Sequence, residues 1–222
     1  MSTLLHIDVS ARINRSISRE LSAKFIETWM NVHPDDTIIR RDIGQHPPGF
    51  VTEEWIAAAF TPKEKQTREH HTTLAESDEL IAELAAADIV VLGTPMYNYG
   101  MPAALKAWVD RVIRVNETFS FDLARGDWPL EPILTDKILI GLTSSGEFGF
   151  SPGGVRAHMN FLHGHIEAVA HYLGLAERHF IHVEYQEFQD ERHRRSREDA
   201  VVNTIALAKT LARSFTTGDN KA

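Results

Sequence analysis

Gly93-Thr94-Pro95-Met96-Tyr97-Asn98-Tyr99-Gly100-Met101-Pro102 is the stretch on which the fold turns. It follows the apolar run Ile89-Val90-Val91-Leu92, whose unbroken hydrophobicity is that of a strand buried on both faces. It precedes a helical pattern opened by Pro102, where a fixed φ helps and a missing N–H costs nothing. A loop at the carboxyl end of a parallel strand is where open α/β sheets hold ligands. Tyr97 and Tyr99 offer ring faces there, and Asn98 and backbone N–H groups offer hydrogen bonds to ring edges. The set suits a flat heterocycle. Taken alone, an ordinary strand-to-helix connection explains it equally well.

Upstream, residues 4–9 read as the first strand. Ser10-Ala11-Arg12-Ile13-Asn14-Arg15-Ser16-Ile17-Ser18 follows as a polar loop, and a helix then extends to about residue 32. Ile17, Leu21, Phe25, Trp29 and Val32 make one apolar stripe along it. Residues 37–43 are a second strand, charged enough to lie near a sheet edge. A loop over 45–49, a short helix over 53–60 and a long helix over 64–87 lead into the third strand, 89–92.

Downstream, a helix over 102–115 carries Leu105, Trp108, Val109, Val112 and Ile113 on one side. Trp29 and Trp108 both fall on such stripes and are expected in the core. Residues 116–136 hold Phe119, Phe121 and Trp128 among Asn, Asp, Gly and Pro, too apolar for a solvated loop and too broken for one element. The fourth strand is 137–143, followed by a Gly/Ser/Phe loop over 144–154. A helix over 155–173 ends at Gly174, a C-cap. Residues 180–183 are the fifth strand, 190–215 the last helix, and 216–222 a frayed, flexible tail.

Strand alternates with helix five times. That pattern predicts an α/β fold: one parallel sheet with helices on both faces and right-handed crossovers. Five strands favour a flavodoxin-like three-layer sandwich in the order 2-1-3-4-5, as a single domain over 1–215. No G-x-G-x-x-G follows the first strand and no Walker sequence occurs, so dinucleotide and P-loop readings lack their signatures.

The 222 residues suffice for one large core without metal or disulfide. Cysteine is absent, which excludes thiolate catalysis and zinc–sulfur sites and fits a reducing cytoplasm. The chain has 31 acidic and 23 basic residues, a formal charge of −8, which argues against nucleic acid and anionic membrane surfaces. No signal-peptide pattern opens the chain, and no apolar run is long enough for a membrane span. His70-His71 and His163-Gly164-His165 do not share a helix face and are poor metal ligands. Arg192, Arg194, Arg195 and Arg197 are flanked by Asp190, Glu191, Glu198 and Asp199, as on a solvated helix face.

The loop after the first strand has the makings of a phosphate site. Ser16 and Ser18 sit at a helix start, where unpaired N–H groups and the dipole favour an anion by about 0.3–1 kcal/mol. Ser10 at the strand end can supply a third hydroxyl. One serine would only cap the helix. Three within nine residues favour the phosphate.

With these residues in place, the chain resembles the FMN-dependent NADH azoreductases, flavodoxin-like relatives of the dimeric NAD(P)H:quinone oxidoreductases. The resemblance extends to about residue 214. It rests on Ser10 with Ser16-Ile17-Ser18, the loop from Pro95-Met96-Tyr97-Asn98-Tyr99 to Pro102, the Thr118-Phe119-Ser120-Phe121 segment, and Ser144-Ser145-Gly146-Glu147. It implies an FMN phosphate at Ser10, Ser16, Ile17 and Ser18. It implies an isoalloxazine held by Pro95, Met96, Tyr97, Asn98 and Tyr99 on one side and Ser144, Ser145, Gly146 and Glu147 on the other. Phe119 and Phe121 would line the acceptor pocket, contributed by a partner subunit of a homodimer. Where that family has Ser-Arg-Gly-Gly, this chain has Ser144-Ser145-Gly146-Glu147, and Tyr99 replaces its usual phenylalanine.

The implied activity is two-electron transfer, by hydride, from NADH or NADPH through FMN to a quinone or aromatic azo compound, in ping-pong order. The cofactor carries that chemistry, so no side chain is assigned as catalytic. A flavodoxin-type electron carrier is the alternative; the aromatic segment at 116–136 favours the enzyme. A phosphatase on the same scaffold lacks its cysteine nucleophile.

Overall fold

The computed structural model describes residues 1–217. The apolar runs become β1 (Thr3–Asp8), β3 (Ile89–Pro95) and β6 (Lys137–Ser144), with β2 (Thr37–Asp42) and β7 (Leu175–Val183) at the edges. All pairings in this sheet are parallel, in the order β2-β1-β3-β6-β7. Counted within the sheet alone, that is the expected 2-1-3-4-5. The intervening numbers, β4 (Phe119–Phe121) and β5 (Leu130–Pro132), form a separate antiparallel hairpin.

Strand alternation sorts the core into two layers. Leu5, Ile7, Val90, Leu92 and Leu139 face α3 (Arg68–Ala86), α4 (Ala103–Val112) and α5 (Phe161–Ala170), packing on Leu84, Trp108 and Ile166. Leu4, Ile89, Val91, Ile138 and Ile140 face α1 (Ile17–Met30) and α6 (Glu191–Thr217), packing on Leu21, Phe25, Trp29 and Leu211. Helices therefore cover both faces. The short α2 (Glu53–Phe60) packs Trp55 and Ala58 against Leu74 of α3.

Several boundaries differ from expectation. The fifth strand starts at Leu175, not 180, because Ala176, Glu177 and Arg178 of this edge strand are exposed and mask its pattern. The long helix starts at Arg68, capped by Thr67, after a 3₁₀ turn over Lys63–Lys65. The helix expected over 155–173 is shorter: α5 begins at Phe161, capped by the Asn160 side chain. The last helix includes Thr216 and Thr217, so that part of the expected tail is ordered; 218–222 lie outside the described residues. Gly174 takes the left-handed conformation (φ +70°) after α5, as a C-cap does.

Trp29 is fully buried. Its ring stands edge-on to Phe215 at 5.3 Å, and its Nε1–H donates to Asp36 at 3.0 Å. Trp29→Ala should cost about 3–5 kcal/mol in urea unfolding, the range for removing a buried aromatic, by separating α1 from α6.

Candidate functional site

Parallel strands put their carboxyl ends, and the loops that follow, on one edge. The first of these loops turns into α1, whose N-cap is Ser16; its hydroxyl accepts from the Arg19 N–H at 3.5 Å. Ser18 is buried, with its hydroxyl 3.4 Å from that of Ser16. Ser10 is also buried, and its hydroxyl accepts from the Arg12 N–H at 3.2 Å. Arg19 braces the turn from beneath. Its Nη2 donates to the Ser10 carbonyl at 2.7 Å and to Asp42 at 2.6 Å, with Asp8 at 3.4 Å. Partial burial raises the Asp42 carboxyl, but hydrogen bonds and charge from Arg19 outweigh it, and the net shift is downward. Arg12 and Arg15 remain exposed above the turn.

The second loop makes a tight reversal. Tyr97 and Gly100 exchange backbone hydrogen bonds of 3.1 and 3.0 Å, and both central residues, Asn98 and Tyr99, have positive φ (+46° and +66°). Asparagine accepts that geometry readily; tyrosine does so at a cost. Tyr99 is held on three sides. Its hydroxyl donates to Glu147 at 2.9 Å, its ring lies 6.2 Å from that of Phe150, and its carbonyl accepts from the Phe161 N–H at 3.0 Å. The hydrogen bond to Glu147 raises the Tyr99 phenol above its ordinary value.

The third loop, after β6, is laced to the loop after β7. Gln186 N–H donates to Ser145 O, Glu187 N–H to Gly146 O and Tyr185 N–H to Glu147 O, at 3.0–3.2 Å. The Glu147 carboxylate is neutralised by Arg156 at 3.3 Å besides its bond to Tyr99. The departure from Ser-Arg-Gly-Gly thus places no bare anion here, and an arginine returns from further along the chain.

These loops enclose two adjoining clefts. The larger, about 350 Å³, is lined by Ser10, Ser16, Ile17, Pro95, Met96, Tyr97, Ser144, Ser145 and Gly146 of the expected set. The smaller, about 230 Å³, shares Met96, Ser145 and Gly146 and adds Asn98, Tyr99 and Glu147. Of the expected cofactor residues, Ser18 alone lines neither; it lies behind Ser16 and offers its backbone N–H at the first turn of α1. Sequence reasoning missed Arg12, Arg15, Gln186 and Glu187, which complete the larger cleft. The two arginines were legible as cations beside the turn expected to take a phosphate. Gln186 and Glu187 carry no local signal, because only strand order brings them here.

Phe119 and Phe121 are not in either cleft. α4 carries the chain away from the carboxyl edge, and the hairpin sits where β6 and β7 begin: Ile133 N–H bonds Thr118 O, and Lys137 N–H bonds Gly174 O. Phe119 stands edge-on to Tyr172 at 5.1 Å, and Phe121 is half exposed. Within one chain, the expected pocket role is therefore not met.

A family profile described as a flavodoxin-like fold matches residues 2–205. The chain is 51% identical over 218 residues to "FMN-dependent NADH:quinone oxidoreductase 2" of Colwellia psychrerythraea, covering 95% of this chain and 100% of that one. This chain belongs to the flavodoxin-like FMN-dependent NADH:quinone oxidoreductase family. The protein of the same name from Idiomarina loihiensis is 50% identical over 223 residues, covering 97% and 93%. The fold also matches an FMN-dependent NADH-azoreductase from Bacillus anthracis, solved in complex with FMN, with a TM-score of 0.83 at 17% identity over 96% of this chain and 100% of that chain.

The Arg19–Asp42 pair has a testable pH signature. A carboxyl whose folded pKa is lowered stabilises fully above its unfolded value and loses that contribution as pH falls through the lowered one. Urea unfolding of Asp42→Asn should therefore show a deficit against the wild type at neutral pH. That deficit should close under acid conditions, below the ordinary carboxylate range.

Proposed function

We propose that this chain is an FMN-dependent oxidoreductase that passes two electrons from NAD(P)H to quinones and aromatic azo compounds. One observation carries the reading: a serine-capped helix start flanked by Arg12 and Arg15 opens into the same cleft as the Met96–Tyr97 and Ser144–Gly146 backbones. The cleft fits the cofactor. Its volume falls within the ordinary range for small-ligand sites, and its two ends differ chemically as a phosphoester and a ring system require.

When bound, FMN supplies hydride acceptance and donation. The protein supplies placement. The Ser10 and Ser16 hydroxyls, the N–H groups of Ile17 and Ser18, and the Arg12 and Arg15 guanidinium groups bind the phosphate. Pro95, Met96, Tyr97, Asn98 and Tyr99 form one wall for the ring, and Ser144, Ser145, Gly146 and Glu147 the other. Both walls are held by the bonds described above, so the ring is oriented before a substrate arrives. One face stays open for NAD(P)H and then the acceptor, which gives ping-pong turnover.

The hairpin enters this scheme through a second copy of the chain. Phe121, Leu123 and Trp128 are 52%, 75% and 86% exposed, an apolar group too large to leave in water. In a homodimer, Phe119 and Phe121 would close the partner's open cleft and form the acceptor pocket. We place the single FMN-binding domain over 1–215 and the protein in the cytoplasm, on the absence of cysteine. Among the described residues, no helix is long and apolar enough to cross a membrane.

The purified protein should be yellow and should oxidise NADH with a simple quinone in the absence of any partner protein. Double-reciprocal plots at several quinone concentrations should be parallel. A yellow protein without turnover would instead indicate a flavodoxin-type carrier, and one that does not take up FMN would refute the assignment.

A further inference from the structure

A second cavity, also about 350 Å³, lies on the other side of β7, lined by Ser151, His163, His182, Ser196, Asp199 and Asn203 among others. It is joined to the cofactor cleft by an unbroken chain of hydrogen bonds. His163 Nε2 is 3.0 Å from Thr143 Oγ1, which is 2.5 Å from His182 Nδ1; His182 Nε2 is 2.9 Å from Ser145 Oγ. Ser145 lines both cofactor clefts. Thr143 is fully buried at the centre of the chain.

Counting donors fixes the direction. Ser145 Oγ–H donates to the Glu147 carbonyl at 2.9 Å, so Ser145 accepts from His182 Nε2–H. His182 Nδ1 is then bare and accepts from the Thr143 hydroxyl at 2.5 Å, in preference to the Ile181 carbonyl at 3.5 Å, and Thr143 in turn accepts from His163 Nε2–H. The donors of His163, Thr143 and His182 all point toward Ser145, whose own hydroxyl ends on the carbonyl of Glu147 at the rim of the smaller cleft. His163 Nδ1 has no hydrogen-bond partner among the described residues, and His163 borders the second cavity. The rings cannot turn freely: His163 stacks on Phe180 at 4.5 Å, and His182 meets the rings of His163 and Phe150 edge-on.

We propose that His163, Thr143, His182 and Ser145 form a proton relay that lends one proton to the cofactor cleft while a hydride is held there. The proposal rests on the function assigned above. Hydride arrival adds negative charge to the cleft. Water in the second cavity then gives a proton to His163 Nδ1, the hydroxide left behind being neutralised by bulk buffer; His163 Nε2 passes its proton to Thr143, and Thr143 passes its own to His182 Nδ1. The Ser145 hydroxyl turns from the Glu147 carbonyl to yield its proton to the cleft, and His182 Nε2 passes its proton to Ser145. Each group gives one proton and receives one, so none ends charged and no electron moves along the chain. When the hydride leaves for the acceptor, the loan returns along the same atoms, and every link regains its original direction. The acceptor takes its own proton from solvent through the open face.

The surroundings suit a relay whose resting state is neutral. Burial pushes His163 down to about 4; burial, with a smaller push from His163, takes His182 down to about 3. Both are therefore neutral around pH 7. The charged groups facing the chain are few: Asp199 of α6 in the second cavity, the Glu184 carboxylate that accepts from the Phe150 N–H, Glu187 beside Ser145 in both clefts, and Glu147, already paired with Arg156. A buried polar chain of this kind is costly to build unless its atoms are bonded, and all the ring nitrogens and hydroxyls are except His163 Nδ1, which borders the second cavity.

The test is ¹⁵N NMR of the histidine rings in the FMN-loaded protein, oxidised and then reduced by dithionite under anaerobic conditions. In the oxidised state both rings should carry the proton on Nε2. On reduction both should shift to Nδ1. Identical tautomers in the two states would overturn the relay while leaving the FMN assignment intact; failure to load with FMN would strike that assignment instead. Thr143→Val should abolish the shift without loss of bound FMN, and Thr143→Ser should restore it. A shift that survives Thr143→Val would also overturn the proposal. If Thr143→Val fails to fold, His163→Gln, at the solvent end, should equally abolish the shift at His182.

Discussion

Everything in this protein follows from five strands running the same way. A parallel sheet cannot use tight hairpins, so each strand is followed by a crossover, and every loop leaving a carboxyl end lies on one edge. Residues far apart in the chain are thereby made neighbours: Ser10, Met96, Ser145 and Gln186 line one cleft. Arg19 secures the arrangement at its most charged point. One guanidinium holds the Ser10 carbonyl, Asp42 and Asp8, tying the first turn of α1 to the ends of β1 and β2. The helix dipole, two free arginines and two hydroxyls are then concentrated at a single point on the rim.

The two walls proposed for the ring are held by cross-links between loops rather than by rigidity within any one. Tyr99 keeps an unfavourable backbone conformation because Glu147, Phe150 and Phe161 secure it from three directions. The Glu147 carboxylate on the proposed cofactor wall is paired with Arg156 and accepts from the Tyr99 hydroxyl. Three backbone bonds join the loops after β6 and β7. A site assembled this way is preorganised, and orientation of reactants is the main service an enzyme renders to a cofactor that brings its own chemistry.

The sequence was legible where local pattern and local structure coincide. Ile89-Val90-Val91-Leu92 is buried on both faces because both faces are covered, so it reads as an unbroken apolar run. The serines of the first turn and the Tyr97-Asn98-Tyr99 loop announced themselves by type and spacing. What stayed hidden depends on contacts distant in sequence. The first half of β7 is polar because an edge strand needs no apolar outer face. Gln186 and Glu187 enter the cleft only through strand order. Phe119 and Phe121 were legible as aromatic but not as placed, since the length of α4 decides which edge of the sheet they reach. The histidine chain joins residues from β6, α5 and β7, and no spacing rule connects 143, 163 and 182.

The central claim is that the α1 turn binds a phosphate while the neighbouring loops bind a ring. Calorimetric titration of cofactor-free protein with FMN and with riboflavin separates the two contributions, because the ligands differ only in the phosphate. FMN should bind at least tenfold more tightly, about 1.4 kcal/mol or more, and the gap should narrow as salt screens Arg12 and Arg15. Equal affinities for the two ligands, unchanged by salt, would contradict the account.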